Sequence, residues 1–327
     1  MIDMRGGLLV RALTGLLLLG AAHASSGVEN TGYLFDGAIR TAGAEHGDFI
    51  VDGFNRLYVQ AHPGATFAAP LSGTSSAIPW LTYGKVLFAL MGRTATRQEA
   101  DAYRAATGAL PLEIRIAHTS DNATEDLSYS LGIYVNRANP IENLTPDQVA
   151  KMLSVGNGGG DYSRWGQLGL TGAWAQRAIH PYGTPEWTGM GVYMQTTQIG
   201  GRPFPAAYEQ HGSTAEILAR LVDDPAGIAF AGIGRGNERL KQVAIVPVDG
   251  GPPMRGSRDD VASGRYPYGR YLYVYVRRVA GEPLDPVAVA YLRLVLSPAG
   301  QTVIASQKGG YIPLTDQERH DELEKLK

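Results

Sequence analysis

The sequence predicts an α/β protein with mainly parallel sheets, because helix and strand signals alternate from about residue 36 to the C-terminus. Hydrophobic residues make up 44% of the 327 residues and charged residues 18%, a balance that supports a sizeable core. The 29 basic and 31 acidic residues give a net charge of −2. This near balance gives no reason to expect a polyanionic partner, and nucleic acid is therefore not an expected ligand.

Several helix starts are marked by side chains that can cap the first free backbone N–H groups. Gly108 is a candidate stop for the helix that Thr96 begins, and the helix that Ser297 begins is expected to end near Gly309. The cap pairs are Thr96 with Glu99, Thr145 with Gln148 and Ser213 with Glu216, while Asp285 and Ser297 each precede a proline at the first helical position.

Strand candidates are residues 113–118, 132–136, 227–232, 243–248 and 271–276. The last of these alternates Tyr271, Tyr273 and Tyr275 with Leu and Val residues. That period of two predicts a sheet strand with two differently packed faces, which we favour over an aromatic ligand cage.

Residues 1–24 form a predicted signal peptide. Arg5 and Arg11 give a positive start, Leu13 begins the apolar stretch, and Ala-His-Ala at 22–24 has the form of a cleavage site. The apolar stretch is too short for a membrane anchor. The chain has no cysteine, so disulfides, Cys-based zinc sites and a lipid-modified N-terminal cysteine are excluded. We expect a mature protein that is not membrane-embedded, in the periplasm or secreted.

The motifs of several enzyme classes are missing. No histidine pair has metal-ligand spacing around a carboxylate, so no metal site is expected. The glycine-rich run 156–160 lacks the Lys-Ser/Thr ending of a phosphate loop, and no Gly-x-Ser-x-Gly elbow occurs. Basic residues are dispersed rather than clustered with aromatic residues. The sequence therefore predicts no catalytic residues and no cofactor.

Two segments suggest binding of a polar ligand. Gly-Thr-Ser-Ser at 73–76 and Thr-Gly at 188–189 each precede an apolar helical stretch. Hydroxyl groups and glycine amides at a helix start can surround an anion, because the free N–H groups and the helix dipole both favour negative charge. The alternative is that these residues only cap their helices.

A series of short segments lies in a specific order between residues 132 and 314. They include Asp-Pro-Ala-Gly-Ile-Ala-Phe at 224–230 and the segment 264–273, and the others are 132–136, 139–140, 144–148, 165–166, 181–183, 188–189, 296–301 and 310–314. In this order the chain resembles the phosphate-binding periplasmic proteins of ABC transporters, as a divergent member. The segment 224–230 is similar to that family's Asp-Pro-x-Ala-Ile-Gly-Tyr strand, and 264–273 resembles its return crossover.

The resemblance implies a two-lobed, type II binding-protein fold with the ligand in a cleft between the lobes. Lobe I would hold residues 25–120 and 266–327, and lobe II residues 121–265. Closure of such a cleft removes water and strengthens each hydrogen bond to the ligand.

The resemblance also implies the ligand contacts. Arg93 falls where the family has Ser-Arg or an Asp-containing loop, but the family's arginine after Gly183 is replaced here by Thr184. Because a charged donor is lost, we expect weak phosphate binding or a preference for a larger or less charged ligand, and Thr184→Arg should strengthen phosphate binding. The candidate contacts are Thr74, Ser75, Ser76, Arg93, Thr184, Thr188 and Gly189.

The leading hypothesis is an exported solute-binding protein for phosphate or a related oxyanion, serving ABC-type uptake or sensing. Its partners would be a small anionic ligand and an ABC transporter permease. Two alternatives stay open: a secreted phosphatase on the same fold, with a hydroxyl nucleophile, and a relative that lost its ligand and works as a scaffold.

Overall fold

The computed structural model describes residues 37–121, 127–306 and 310–327. The predicted signal peptide lies outside the described residues. The helix that Ser297 opens ends at Ala305, with Ser306 as its C-cap, which is earlier than the expected stop near Gly309, and Gly309 itself lies outside the described residues.

The strands of the described residues are numbered in chain order. They are β1 (Ile39–Gly43), β2 (Phe67–Ala68), β3 (Phe88–Met91), β4 (Leu112–His118), β5 (Leu131–Asn136), β6 (Asn143–Leu144), β7 (His180–Gly183), β8 (Glu209–Gln210), β9 (Gly227–Gly232), β10 (Leu240–Gln242), β11 (Ala244–Ile245) and β12 (Tyr271–Val276).

The α-helices of the same residues are α1 (Asp48–Ala61), α2 (Thr74–Thr82), α3 (Arg97–Thr107), α4 (Pro146–Leu153), α5 (Gly189–Tyr193), α6 (Thr214–Val222), α7 (Arg258–Ala262), α8 (Pro286–Val295), α9 (Pro298–Ala305) and α10 (Asp316–Glu324). A π-helical turn, Met194–Gln198, continues α5.

Two five-stranded sheets organise the fold, with strand orders β2-β1-β3-β12-β4 and β10-β5-β9-β7-β8. In the first sheet β12 is antiparallel to both of its neighbours, β3 and β4. In the second sheet β5 is antiparallel to both of its neighbours, β10 and β9. The other four strands of each sheet run in one direction. The predicted two-lobed α/β fold with mainly parallel sheets is confirmed.

The chain passes between the sheets twice, from β4 to β5 and back into β12. These two connections lie side by side: the Thr119 N–H donates to the Arg270 carbonyl at 2.9 Å, and the Leu131 N–H donates to the Tyr268 carbonyl at 3.1 Å. The hydrogen bonds satisfy backbone groups that would otherwise be buried without partners. The region between the lobes therefore has a paired backbone at its centre.

Each face of the first sheet packs against helices. Leu272, Val274 and Val276 of β12 belong to the same core as α1, α8 and α9. Tyr273 and Tyr275 point to the opposite face and pack with residues of α2 and α3. The predicted strand is confirmed, and its alternation from Leu272 to Val276 explains how one strand serves two cores. Tyr271 departs from the predicted pattern, because it packs against the same core as Leu272, before a register shift between Leu272 and Tyr273.

The second sheet is also covered on both faces. Ile133 and Val135 of β5 pack in a core with α4 and Trp165, whose indole N–H donates to the Ala226 carbonyl at 2.9 Å. Tyr134, between them, packs against α6 on the other face. Burial on both faces is expected for strands that alternate with helices.

The predicted helix caps are present. Thr96 with Glu99 and Thr145 with Gln148 form reciprocal capping boxes, and the Ser213 side chain accepts from the Glu216 N–H. Gly108 ends α3 in the left-handed conformation, with φ of 74°. These elements were predictable because cap chemistry is local.

One strand prediction is wrong. Residues 243–248 do not form a continuous strand: β11 contains only Ala244–Ile245, and β10 ends before it at Gln242. Val248 is 89% exposed, so the apolar end of the segment does not enter a sheet. The apolar composition of the segment was therefore misleading.

Among the described residues, no single helix is both long and apolar enough to cross a membrane. The pair α8 and α9, bent by 60°, passes that test by length and composition only.

Candidate functional site

A cavity of about 290 Å³ lies where loops of both sheets meet the two connections. Its walls combine hydroxyl groups, backbone amides and charged groups with a few apolar side chains. The lining residues are Glu45, His46, Thr74, Ser75, Gly92, Arg93, Leu127, Ser128, Tyr129, Thr188, Gly189, Met190 and Arg270.

The fold explains why these residues meet. Glu45 follows the carboxyl end of β1, and Gly92 follows the carboxyl end of β3. Parallel strands collect their following loops at one edge of a sheet, which is where α/β proteins bind ligands. Tyr129 and Arg270 come from the two connections, so the cavity lies against the paired backbone between the sheets.

The start of α2 brings Thr74 and Ser75 to the cavity. Gly73 is the N-cap residue, with φ of 93°, a conformation that favours glycine. The Ser76 N–H donates to the Gly73 carbonyl at 3.1 Å, which leaves the N–H groups of Thr74 and Ser75 as the first-turn donors for a ligand. Ser76 does not line the cavity, and its hydroxyl donates to the Gly73 carbonyl at 2.8 Å.

The start of α5 brings Thr188 and Gly189 to the opposite wall. The Thr188 Oγ1 accepts from the Gly191 N–H at 3.0 Å and donates to the Pro185 carbonyl at 2.8 Å. Its hydroxyl proton is therefore already used as part of the helix cap. The first-turn N–H groups of Gly189 and Met190 are the donors that this wall can offer.

Arg93 lines the cavity, but a carboxylate partner balances its charge. Its Nη1 and Nη2 donate to the two carboxylate oxygens of Glu99 at 2.7 and 2.9 Å. Burial raises the pKa of the Glu99 carboxyl, yet the hydrogen bonds from Arg93 and the Thr96 N–H outweigh it and leave that pKa below its ordinary value. Arg93 therefore brings little net charge to the cavity.

Thr184 does not line the cavity. It is 1% exposed, and its Oγ1 has no hydrogen-bond partner within the part of the chain that the structure describes. Its carbonyl accepts from the Tyr208 hydroxyl at 2.6 Å. Of the residues predicted as contacts, the structure brings Thr74, Ser75, Arg93, Thr188 and Gly189 together and leaves Ser76 and Thr184 outside.

Sequence reasoning missed five polar residues in the cavity. Ser128 and Tyr129 come from the first connection, Glu45 and His46 from the loop after β1, and Arg270 from the second connection. Arg270 lies in the segment 264–273 that resembles the return crossover, but Arg265 in the same segment gave no way to tell the two arginines apart.

The chemistry of the cavity suits an oxygen-rich anion more than a metal. Hydroxyl, amide and guanidinium groups donate hydrogen bonds, and anions accept them. Glu45 adds one acceptor, which can receive a hydrogen bond from a protonated oxyanion and repels an oxyanion without a proton. No group of three or more His, Asp or Glu residues in the described ranges could hold a metal ion.

The architecture defines the class of the protein, because it has two α/β lobes, two adjacent connections and a polar cavity lined by loops of both sheets. A family model for the PBP superfamily domain matches residues 24–299. The phosphate-binding protein PstS of Pseudomonas aeruginosa, in each of two strains, is 32% identical over 261 residues, covering 79% of this chain and 77% of its own length.

Solved structures share the fold. PstS from Borrelia burgdorferi matches with a TM-score of 0.59 at 16% identity, over 85% of this chain and 99% of that chain. An ABC-type phosphate transport receptor from Vibrio cholerae matches with a TM-score of 0.58 at 19% identity, over 84% of this chain and 99% of that chain. The chain belongs to the PBP superfamily and, within it, to the PstS-like proteins.

Proposed function

We propose that the chain is an exported solute-binding protein that holds phosphate or a related oxyanion between its two lobes. The observation that carries this proposal is the convergence of donors from both sheets on one cavity. Thr74 and Ser75 reach it from the first lobe, and the amides of Gly189 and Met190 reach it from the second. A ligand that bonds to both walls favours a closed arrangement of the lobes.

The relatives support the choice of ligand. The similar Pseudomonas proteins are named phosphate-binding, and the Vibrio protein is named an ABC-type phosphate transport receptor. We extend that role to this chain, with an ABC transporter permease as its partner. The predicted signal peptide supports a periplasmic or secreted location, and lobe boundaries near residues 120 and 265 are part of the same proposal.

A thermal-shift panel on the mature chain tests the proposal. Phosphate, arsenate, sulfate and molybdate would be compared with sodium chloride at matched ionic strength. A ligand at 100 times its dissociation constant stabilises the folded state by about 2.7 kcal/mol, which raises the melting temperature by several degrees. We expect such a rise with phosphate or another oxyanion, followed by a dissociation constant from calorimetry. No shift with any of the oxyanions would contradict the proposal and favour the scaffold alternative.

The phosphatase alternative needs a base that activates a hydroxyl group. His46 and Glu45 share the cavity with Ser75, but no hydrogen bond joins either side chain to the Ser75 hydroxyl within the described residues. Binding without turnover is therefore the better supported role. Hydrolysis of a phosphate ester by the purified chain, abolished by Ser75→Ala, would favour the enzyme instead.

A further inference from the structure

Arg270 lies at the wall of the cavity, on the connection that leads back into the first sheet. It is 6% exposed. Its Nε and Nη2 donate to the Gly92 carbonyl at 3.2 and 2.6 Å, and its Nη1 donates to the Tyr129 carbonyl at 3.0 Å. The Tyr193 ring lies beneath the guanidinium, with its centroid 5.1 Å from Cζ. The guanidinium is therefore held in one place.

The charge of Arg270 has no acidic partner in the described ranges 37–121, 127–306 and 310–327. No carboxylate there lies within 4.0 Å of the guanidinium, whereas Arg93 in the same wall is paired with Glu99. Burial lowers the pKa of the Arg270 guanidinium below its ordinary value. A buried cation whose contacts are neutral carbonyls and an aromatic ring is costly, and an anion beside it would offset that cost.

The guanidinium also has donors to spare. An arginine side chain carries five N–H groups. Three hydrogen bonds to Gly92 and Tyr129 leave two N–H groups, one on each Nη atom. Two such donors match the oxygens of an oxyanion, to which arginine can bind bidentately.

Gly92 makes this arrangement possible. A Cβ atom at Gly92 would come within 2.8 Å of the Ser128 Oγ and 3.3 Å of the Arg270 Nη2. The absent side chain lets the guanidinium approach the Gly92 carbonyl closely. Because Gly92 follows β3 of the first sheet, Arg270 stays with the wall that holds Thr74 and Ser75.

We propose that Arg270 supplies the positive charge that this site offers to its anion, in place of the arginine that the family has where this chain has Thr184. The inference rests on the proposed function and names its charged contact. The charge would then come from the connection between the lobes, not from the loop after β7. The ligand class is an oxyanion with at least two free acceptor oxygens.

Arg270 also borders a second cavity of about 270 Å³, lined mainly by the connection and by Tyr193, Tyr271 and Tyr273. We place the anion in the first cavity because the hydroxyl groups of Thr74 and Ser75 and the free amides of Gly189 and Met190 lie there. The second cavity combines tyrosine phenols with the side chains of Arg93, Thr94, Thr197 and Gln198. Its Tyr271 hydroxyl already donates to Glu318 at 2.7 Å, and Arg93 is paired with Glu99.

Calorimetry with inorganic phosphate on the mature wild-type chain and on Arg270→Gln tests the inference. Arg40→Gln is the matched control, because it removes the same charge from the first lobe at a separate surface pocket lined by Trp80 and Tyr83. Because Arg270→Gln removes one partner of a buried charged pair, we expect it to weaken phosphate binding by roughly 30-fold to several thousand-fold. Arg40→Gln is expected to stay within about twofold, since exposed or distant charges contribute little.

The outcomes separate the two proposals. A wild-type chain that binds none of the oxyanions overturns the proposed function. A wild-type chain that binds phosphate, with Arg270→Gln within about threefold of it, overturns the role of Arg270 and leaves the proposed function standing. A purely structural role would lower the unfolding temperature of the ligand-free variant without changing affinity.

A crystal structure of the wild-type chain with phosphate gives a second test that does not depend on the folding of a variant. We expect a phosphate oxygen within about 3 Å of the Arg270 Nη1 or Nη2. Phosphate in the second cavity, or in the first cavity but beyond about 4 Å from the guanidinium, overturns the inference.

Discussion

The two helix starts that face the cavity use their hydroxyl groups in opposite ways. At the start of α2 the N-cap is Gly73, and neither the Thr74 nor the Ser75 hydroxyl forms a hydrogen bond within the described residues. At the start of α5 the N-cap is Thr188, whose hydroxyl both accepts from Gly191 and donates to Pro185. The first wall offers hydroxyl donors to a ligand, and the second offers mainly amides.

A hydroxyl group beside glycine at a helix start, as in Thr74 and Thr188, can therefore have either of two roles. A capping hydroxyl stabilises the protein, because it satisfies an N–H group that has no partner in the helix. A free hydroxyl leaves stability almost unchanged and adds a donor to the site. Substitutions at the two helix starts and in the loop before α5 can therefore separate ligand affinity from stability.

The loop before α5 should not accommodate an arginine at position 184, in contrast to the expectation from the sequence that Thr184→Arg strengthens phosphate binding. Thr184 is buried, and its carbonyl is held by the Tyr208 hydroxyl, so Thr184→Arg would place a charge where no acid is paired with it. An uncompensated buried charge costs about 3–5 kcal/mol. We therefore expect Thr184→Arg to lower the free energy of unfolding by that amount in a urea titration of the ligand-free chain.

Thr184→Val is the matched control, since it keeps the shape of the side chain and removes a buried hydroxyl that has no partner in the described chain. We expect it to be neutral or to stabilise the protein by about 1 kcal/mol. A folded Thr184→Arg variant with tighter phosphate binding would restore the expectation from the sequence and refute the burial argument.

Ser75→Ala and Thr188→Ala should separate affinity from stability. Removing a hydrogen bond to a charged ligand costs about 1.5–3 kcal/mol, so Ser75→Ala should weaken phosphate binding roughly 10- to 100-fold. Thr188→Ala should instead lower the free energy of unfolding by about 0.5–2 kcal/mol through loss of the cap. Calorimetry and urea denaturation on both variants measure the two effects.

Ser76→Ala is the control for the first helix start, because the Ser76 hydroxyl donates to Gly73 and lies outside the cavity lining. Its phosphate affinity is expected to match that of the wild-type chain. If Thr188→Ala weakened binding as much as Ser75→Ala while keeping full stability, the two helix starts would not differ as described.

Much of the fold could be predicted because its signals are local. The caps of α3 and α4 and the alternation of β12 each depend on residues a few positions apart. The same holds for the site residues Thr74 and Thr188, which precede apolar helical stretches. The segment 243–248 failed because its apolar residues continue into an exposed loop.

The remaining site features depend on contacts between residues that are distant in sequence. Arg270 meets Gly92 and Tyr129 only because the two connections pair between the sheets. Whether Thr188 caps a helix or faces a ligand depends on the position of the Pro185 carbonyl, which the sequence does not specify. The charge balance of Arg93 likewise required the position of Glu99 at the start of α3.

The smallest expected effect concerns Glu45, the acceptor in a cavity that otherwise offers donors. Glu45 is exposed, and exposed charge pairs contribute about 0.2–1 kcal/mol, so Glu45→Gln should change oxyanion affinities by no more than about fivefold. The direction is specific, because a carboxylate repels fully ionised sulfate but can accept a hydrogen bond from protonated phosphate. The affinity for sulfate should therefore rise relative to that for phosphate.

Asp48→Asn, which removes the same charge outside the cavity lining, controls for long-range electrostatics. Calorimetry with both anions on both variants measures the ratio of affinities, and an equal shift in the two variants would remove Glu45 from the recognition of the ligand.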